Sequence, residues 1–184
     1  MPLSNSDIGR LLKQQPITDE WPWNSGDESV IHKHIKDIVA ELCQKLRLKD
    51  RSEYGHYGSG YASYVDCWLY REDAEFRVAT GDWYRGLVIL FSTLSKHYVL
   101  GEGEKSWHAK GGSTYLPSFA FVDKLDRPAV ASLERGVSRI LASRGLVRQS
   151  AEDLSDFLPR DTSVPTNLGD PPWRHFDALF YWED

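Results

Sequence analysis

The chain has 184 residues, 41% of them hydrophobic and 27% charged, with a formal net charge of −5. That composition is globular and excludes a disordered chain. It argues against general nucleic-acid binding, which needs a basic surface. The longest apolar run, residues 87–91, is far too short to span a bilayer.

In chain order, Ile8 to Gln15 fits one or two helical turns, ended by Pro16. Residues 1–26 otherwise read as a turn-rich entry. Ser25 and Glu28 have capping-box spacing, with Asp27 also in the first turn. Ile31, Ile35, Ile38, Leu42 and Leu46 then recur at three- and four-residue steps, which predicts an amphipathic helix over 27–48. From Tyr61 to Tyr70 the period shortens to two, a strand pattern. Arg71 to Glu75 reads as a polar turn and Phe76 to Thr80 as a second strand. Gly81-Asp82 is another turn. Trp83 to Ser92 is a third strand, apolar on both faces near 87–91 and so central. Lys96 to Leu100 is a fourth strand, Gly101 to Lys105 a loop, and Thr114 to Val122 a fifth strand, with Pro117 placing it at an edge or bulge.

A second helix is expected over 127–144, capped by Asp126 with Pro128 in its first turn and ended by Gly145 in the left-handed conformation. Ser150 to Leu158 suggests a short helix, and 159–172 a surface loop. The aromatic tail 173–184 should dock back on the body, with a period that fits helix and strand equally. The expectation is a single α+β domain over 1–184: an antiparallel sheet of about four to five strands, with helices mainly on one face.

Motifs of known chemistry are sparse. His32 and His34 lie two apart on a predicted helix and point about 200° apart, so they cannot chelate one ion together. Ser59 sits in Gly58-Ser-Gly60, but His56 and Tyr57 break a G-x-S-x-G pattern, and these glycines suit tight turns. Gly101-Glu-Gly-Glu-Lys105 lacks the spacing of a phosphate loop and puts two carboxylates where phosphate would sit. No metal and no cofactor is expected. Cys43 and Cys67 sit in apolar surroundings and read as reduced thiols of a cytoplasmic protein. The first residues carry no signal-peptide pattern.

What remains is surface. Glu72, Asp73, Glu75, Asp82, Glu102 and Glu104 all fall in predicted turns, with Trp83 and Trp107 close by. Aromatics beside acidic loops are plausible hot spots for a partner carrying Arg or Lys. The candidate partner-binding set is therefore Asp73, Asp82, Trp83, Glu102, Glu104 and Trp107. An acidic α+β chain rich in Trp and Tyr, ending in the FDALFYWED of residues 176–184, resembles the immunity proteins of bacterial polymorphic-toxin and secretion-dependent competition systems. That resemblance implies tight binding of a cognate toxin; from the acidic balance and the short apolar runs, no nucleic acid or membrane is expected as partner. The alternatives are a small hydrolase using carboxylates or His56 and His97 in a cleft beside the sheet, and an adaptor that loads an effector.

Overall fold

A computed structural model describes residues 3–184. The chain runs through α1 (Asn5–Leu11), α2 (Glu28–Leu46), β1 (Lys49–Asp50), β2 (Tyr61–Ala62), β3 (Tyr64–Tyr70), β4 (Asp82–Ser92), β5 (His97–His108), β6 (Gly111–Thr114), α3 (Pro128–Ala131), α4 (Glu134–Ser143), β7 (Val147–Arg148), α5 (His175–Leu179) and β8 (Trp182–Glu183). A six-stranded sheet has the order β1-β3-β4-β5-β6, antiparallel throughout, and short β7 joins β5 in parallel. A separate two-stranded ladder pairs β2 with β8. This is the expected mixed α+β architecture.

The helices form for local reasons. α1 starts earlier than predicted because Ser4 and Asp7 build a reciprocal capping box. α2 is capped by Asp27, whose Oδ1 accepts from the Ser29 N–H (2.9 Å) and the Val30 N–H (3.4 Å). The predicted Ser25–Glu28 box does not form: the Ser25 hydroxyl donates to the Pro22 carbonyl (2.6 Å), and Glu28 turns toward His56. The apolar stripe of α2 is as expected, with Ile31, Ile35, Ile38 and Leu42 buried.

Alternation along the strands assigns two faces. Register pairs put Val65, Cys67, Leu69, Leu87, Ile89, Phe91, Tyr98 and Leu100 on one face. This face receives α2, α3 and α4. The other face carries Tyr64, Asp66, Trp68, Tyr70, Tyr84, Gly86, Gly101, Gly103 and Trp107. Phe121 and the tail cover part of it, Phe180 packing edge-on against Tyr64. The spaced glycines floor this aromatic face. A Cβ on Gly86 would lie 2.8 Å from the Trp68 ring, one on Gly103 2.3 Å from Tyr115, and one on Gly101 1.8 Å from Phe121.

Five predicted elements differ. Residues 76–80 are not a strand: the segment has only an isolated bridge from Arg77 to Tyr84, because Arg77 is tied to the Gly81 carbonyl and the Tyr84 hydroxyl inside one tight loop. Residues 101–105 are not a loop but the middle of β5, where glycines make room for overlying rings. The strand placed at 114–122 is instead Gly111–Thr114, followed by a 3-10 turn at Phe119–Phe121. The helix 127–144 is broken into α3 and α4, with the Ser132 hydroxyl bonding back to the Ala129 carbonyl at the break (2.7 Å). Its N-cap is Arg127 rather than Asp126. In place of a helix over 150–158 there is a turn at 151–154 closed by Ser150 and Asp153, and Phe157 bridges to Arg174. Gly145 does adopt the left-handed conformation (φ 78°) and Leu146 is buried.

The tail uses both of its periods. α5 opens with the Arg174 N–H on Asp177 (2.7 Å) and ends in extended chain that becomes β8. Ser63 clasps it: the Tyr181 N–H donates to the Ser63 hydroxyl (2.9 Å), which donates to the Leu179 carbonyl (3.0 Å). Cys43 and Cys67 are unbridged, and burial pushes the Cys43 thiol up to about 11. No described helix is long and apolar enough to cross a membrane.

Candidate recognition surface

β4 and β5 run on past the covered core. Residues 87–92 of β4 are buried, while Asp82 and Trp83 are exposed; β5 opens out from Glu104, and all of β6 is exposed. The result is a projecting three-stranded end with two distinct sides.

On the helix side stand Trp83, Arg85, Glu102 and Glu104. Trp83 is 39% exposed, and its indole N–H donates to Glu104 Oε2 (3.2 Å). Arg85 bridges both carboxylates, pairing with Glu104 and reaching Glu102 Oε1 at 3.2 Å. Glu102 is nearly buried, its side chain 7% exposed, and its other oxygen accepts from the Arg127 N–H (2.9 Å). The sequence pattern puts these two glutamates in a turn, as partner-binding charges. They are instead strand residues that share one cation, Arg85, and Glu102 also fixes the entry to α3.

On the opposite side, Trp107 stacks on Tyr84 (centroids 5.6 Å, 21°) and meets Tyr70 and Trp68 edge-on. Its immediate charged neighbour is a cation: Arg51 lies over its ring at 3.6 Å. Arg77 covers Tyr84 at 4.9 Å, and Lys105 stands between Trp68 (5.8 Å) and Tyr115 (5.2 Å). Asp82 is the register partner of Trp107 on this side. Asp73 is elsewhere in role: its Oδ1 accepts from the Glu75 N–H (3.0 Å) and the Phe76 N–H (3.2 Å), closing the 71–81 loop. The six predicted residues thus do not form one acidic patch. Trp83 and Glu104 share one side, Asp82 and Trp107 the other, Glu102 is structural, and Asp73 is a turn former.

Deeper on the aromatic side is Asp66, fully buried and bonded by the hydroxyls of Tyr57 (2.9 Å) and Tyr115. Burial raises its carboxyl above the usual range, while Lys105 nearby favours the charged form. Burial also raises both tyrosine hydroxyls, which keeps them as donors. Sequence reasoning passed over this network. Its one signal was a lone carboxylate in the otherwise apolar and aromatic run from Tyr64 to Tyr70. Arg51 and Arg85 had none, since both look like ordinary surface arginines.

His56, a candidate base, sits in a left-handed turn with Tyr57 (φ 53° and 56°). Its Nδ1 accepts from the Ala62 N–H (2.7 Å) and its Nε2 meets Glu28 (2.8 Å), so both ring nitrogens are engaged. His97 lies at the start of β5, its Nδ1 3.1 Å from the Ser95 hydroxyl, and burial lowers it to about 4. His34 packs between Trp21 and Trp23. Comparison of the chain with family models, curated proteins and solved structures returned no match.

Proposed function

We propose that this protein works by binding another protein, as an immunity protein that neutralises a cognate bacterial toxin. The observation that supports the reading is the projecting end of β4 and β5, which holds Trp83 at the surface with its indole fixed on Glu104. A rigid, half-exposed Trp is the residue type that anchors interfaces, because it buries a large area at low cost in side-chain entropy.

The test is binding kinetics against the toxin encoded beside this chain's gene. Trp83→Ala should speed dissociation and weaken binding about 30-fold, the equivalent of about 2 kcal/mol. Asp82→Lys should act on association and lose its effect at high salt. Reversing Glu102 and Glu104 is not a clean probe of steering, because it also breaks the Arg85 pairs inside the fold. Failure of the wild-type protein to bind any neighbouring gene product would overturn the proposal and favour the hydrolase alternative.

A further inference from the structure

β6 is the last strand on its side of the sheet, and all four of its residues are exposed. The N–H groups of Ser113 and Tyr115 point inward to β5, at Ser106 Oγ and the Glu104 carbonyl (both 3.1 Å). Alternation then turns the N–H and C=O of Gly112 and Thr114 outward. Among the described residues no backbone bond joins these groups to anything outside the sheet's own ladders. Proteins commonly guard such an edge with Pro, charge, a bulge or a covering loop. Gly111-Gly112-Ser113-Thr114 is short but carries neither Pro nor charge, and Leu116, two residues on, is 67% exposed.

Beside this edge lies a cleft of about 360 Å³ lined by Arg51, Glu53, Lys105, Trp107 and Gly112–Thr114. Its charged lining is two cations, Arg51 and Lys105, and one carboxylate, Glu53, in a chain of net charge −5. Arg51 is exposed; its charge is felt by Tyr70 and by Glu72, but among the described residues no carboxylate comes within ion-pair distance of it. Glu53 in the lining is turned onto the Gly55 N–H. Gly112 is the register partner of Trp107 and lines the same cleft as Arg51. A Cβ there would meet the Ser106 carbonyl oxygen at 1.9 Å, so glycine lets β6 lie close against β5 at this point.

We infer that an extended, acidic segment of a partner protein adds to β6 as a seventh strand of the sheet. Backbone bonds to Gly112 and Thr114 set its register, and a Glu or Asp opposite Gly112 reaches the Arg51–Trp107 pair. Strand addition of this kind draws affinity from the backbone and selectivity from alternate side chains. The inference rests on the reading that this protein binds another protein, and adds which edge does so and what chemistry the partner presents.

The probe is a phage-displayed library of random twelve-residue peptides selected on the intact protein, with the best sequence remade as a fluorescein-labelled peptide. Selection should enrich peptides in which Glu or Asp alternates with β-branched residues. Arg51→Glu should weaken the labelled peptide about tenfold or more, as loss of a charge-assisted contact does. Thr114→Pro removes one outward N–H while leaving the inward pairing of Ser113 and Tyr115, and should weaken it similarly. Should Thr114→Pro disturb the hairpin, amide exchange on the wild-type protein decides: peptide should protect Gly112 and Thr114 and leave Ser113 unchanged. Selection of basic or unpatterned peptides, protection elsewhere, or self-association of the free protein through 111–114 would each overturn the inference. Toxin binding that ignores Arg51→Glu and Thr114→Pro sinks this inference alone. Acidic peptides on the edge without any toxin binding sink the immunity reading alone.

Discussion

Gly103→Ala tests whether the glycine floor of the sheet supports the buried Asp66 network. The new Cβ would stand 2.3 Å from Tyr115 Cδ1 and 2.7 Å from its Cγ, atoms near the root of the ring that cannot swing clear by a small rotation. Overpacking of this kind costs about 1–3 kcal/mol. Displacing the ring also withdraws one of the two hydroxyls that hold Asp66, a charge-assisted bond worth about 1.5–3 kcal/mol. The expected loss of stability is therefore about 2.5–6 kcal/mol. Urea unfolding followed by tryptophan fluorescence reads it as a lower midpoint at unchanged slope. A double-mutant cycle isolates the cause. Tyr115→Ala alone should cost about 3–5 kcal/mol. Adding Gly103→Ala to it should then cost under about 1 kcal/mol, because the clash partner is gone. Additive effects of the two substitutions would refute the reasoning.

Leu42→Ala should cost about 2–5 kcal/mol, since Leu42 is fully buried on the sheet-facing stripe of α2. Lys45→Ala, whose exposed ammonium pairs with Glu41, should stay within about 0.5 kcal/mol in the same denaturation assay, and equal effects would show the helix phase to be wrong. Ser63→Val should cost about 1–3 kcal/mol by stranding the Tyr181 N–H, and should expose the tail to limited proteolysis before the rest of the chain. His97 is held neutral by burial, its folded value about 4 against 6.5 for the free side chain, so the unfolded chain takes up its proton first as pH falls. Stability contributed by its neutral form is complete above about pH 6.5 and is lost progressively down to about pH 4. His97→Asn should flatten that part of the stability profile, and an unchanged profile would refute the assignment.

The parts legible in the sequence were those set by periodicity. The stripe from Ile31 to Leu42 located α2, the alternation from Tyr61 to Tyr70 located β3, and the run at 87–91 marked the central strand. Misreadings came from residues whose local habit was overruled by tertiary contacts. Gly101, Glu102, Gly103 and Glu104 have the composition of a turn, yet Phe121 and Tyr115 require glycine under their rings and Arg85 supplies the cation that lets two glutamates sit in a strand. Phe76 and Val78 look like a strand, yet Asp73 and Arg77 close the segment into a loop. For the candidate surface, Trp83 and Trp107 were legible as aromatics near strand ends. That they face opposite ways depends on register, and that Trp107 carries Arg51 depends on a neighbour over fifty positions away; neither is written in local pattern.

The tail that Ser63 clasps also reaches back to α1, and that contact has a kinetic meaning. The Tyr181 hydroxyl donates to the Leu11 carbonyl (3.0 Å) across a separation of 170 residues, while β4 and β5 meet through a turn spanning only residues 93–96. The hairpin closes a short loop and the tail contact a very long one, so the entropic toll on the second is higher and its gain arrives only once the sheet exists to receive it. The hairpin is therefore expected to form early and the tail to latch late. In native-state exchange the amides of Phe180 and Tyr181 should therefore open together, at a free energy below that of the β4–β5 ladder.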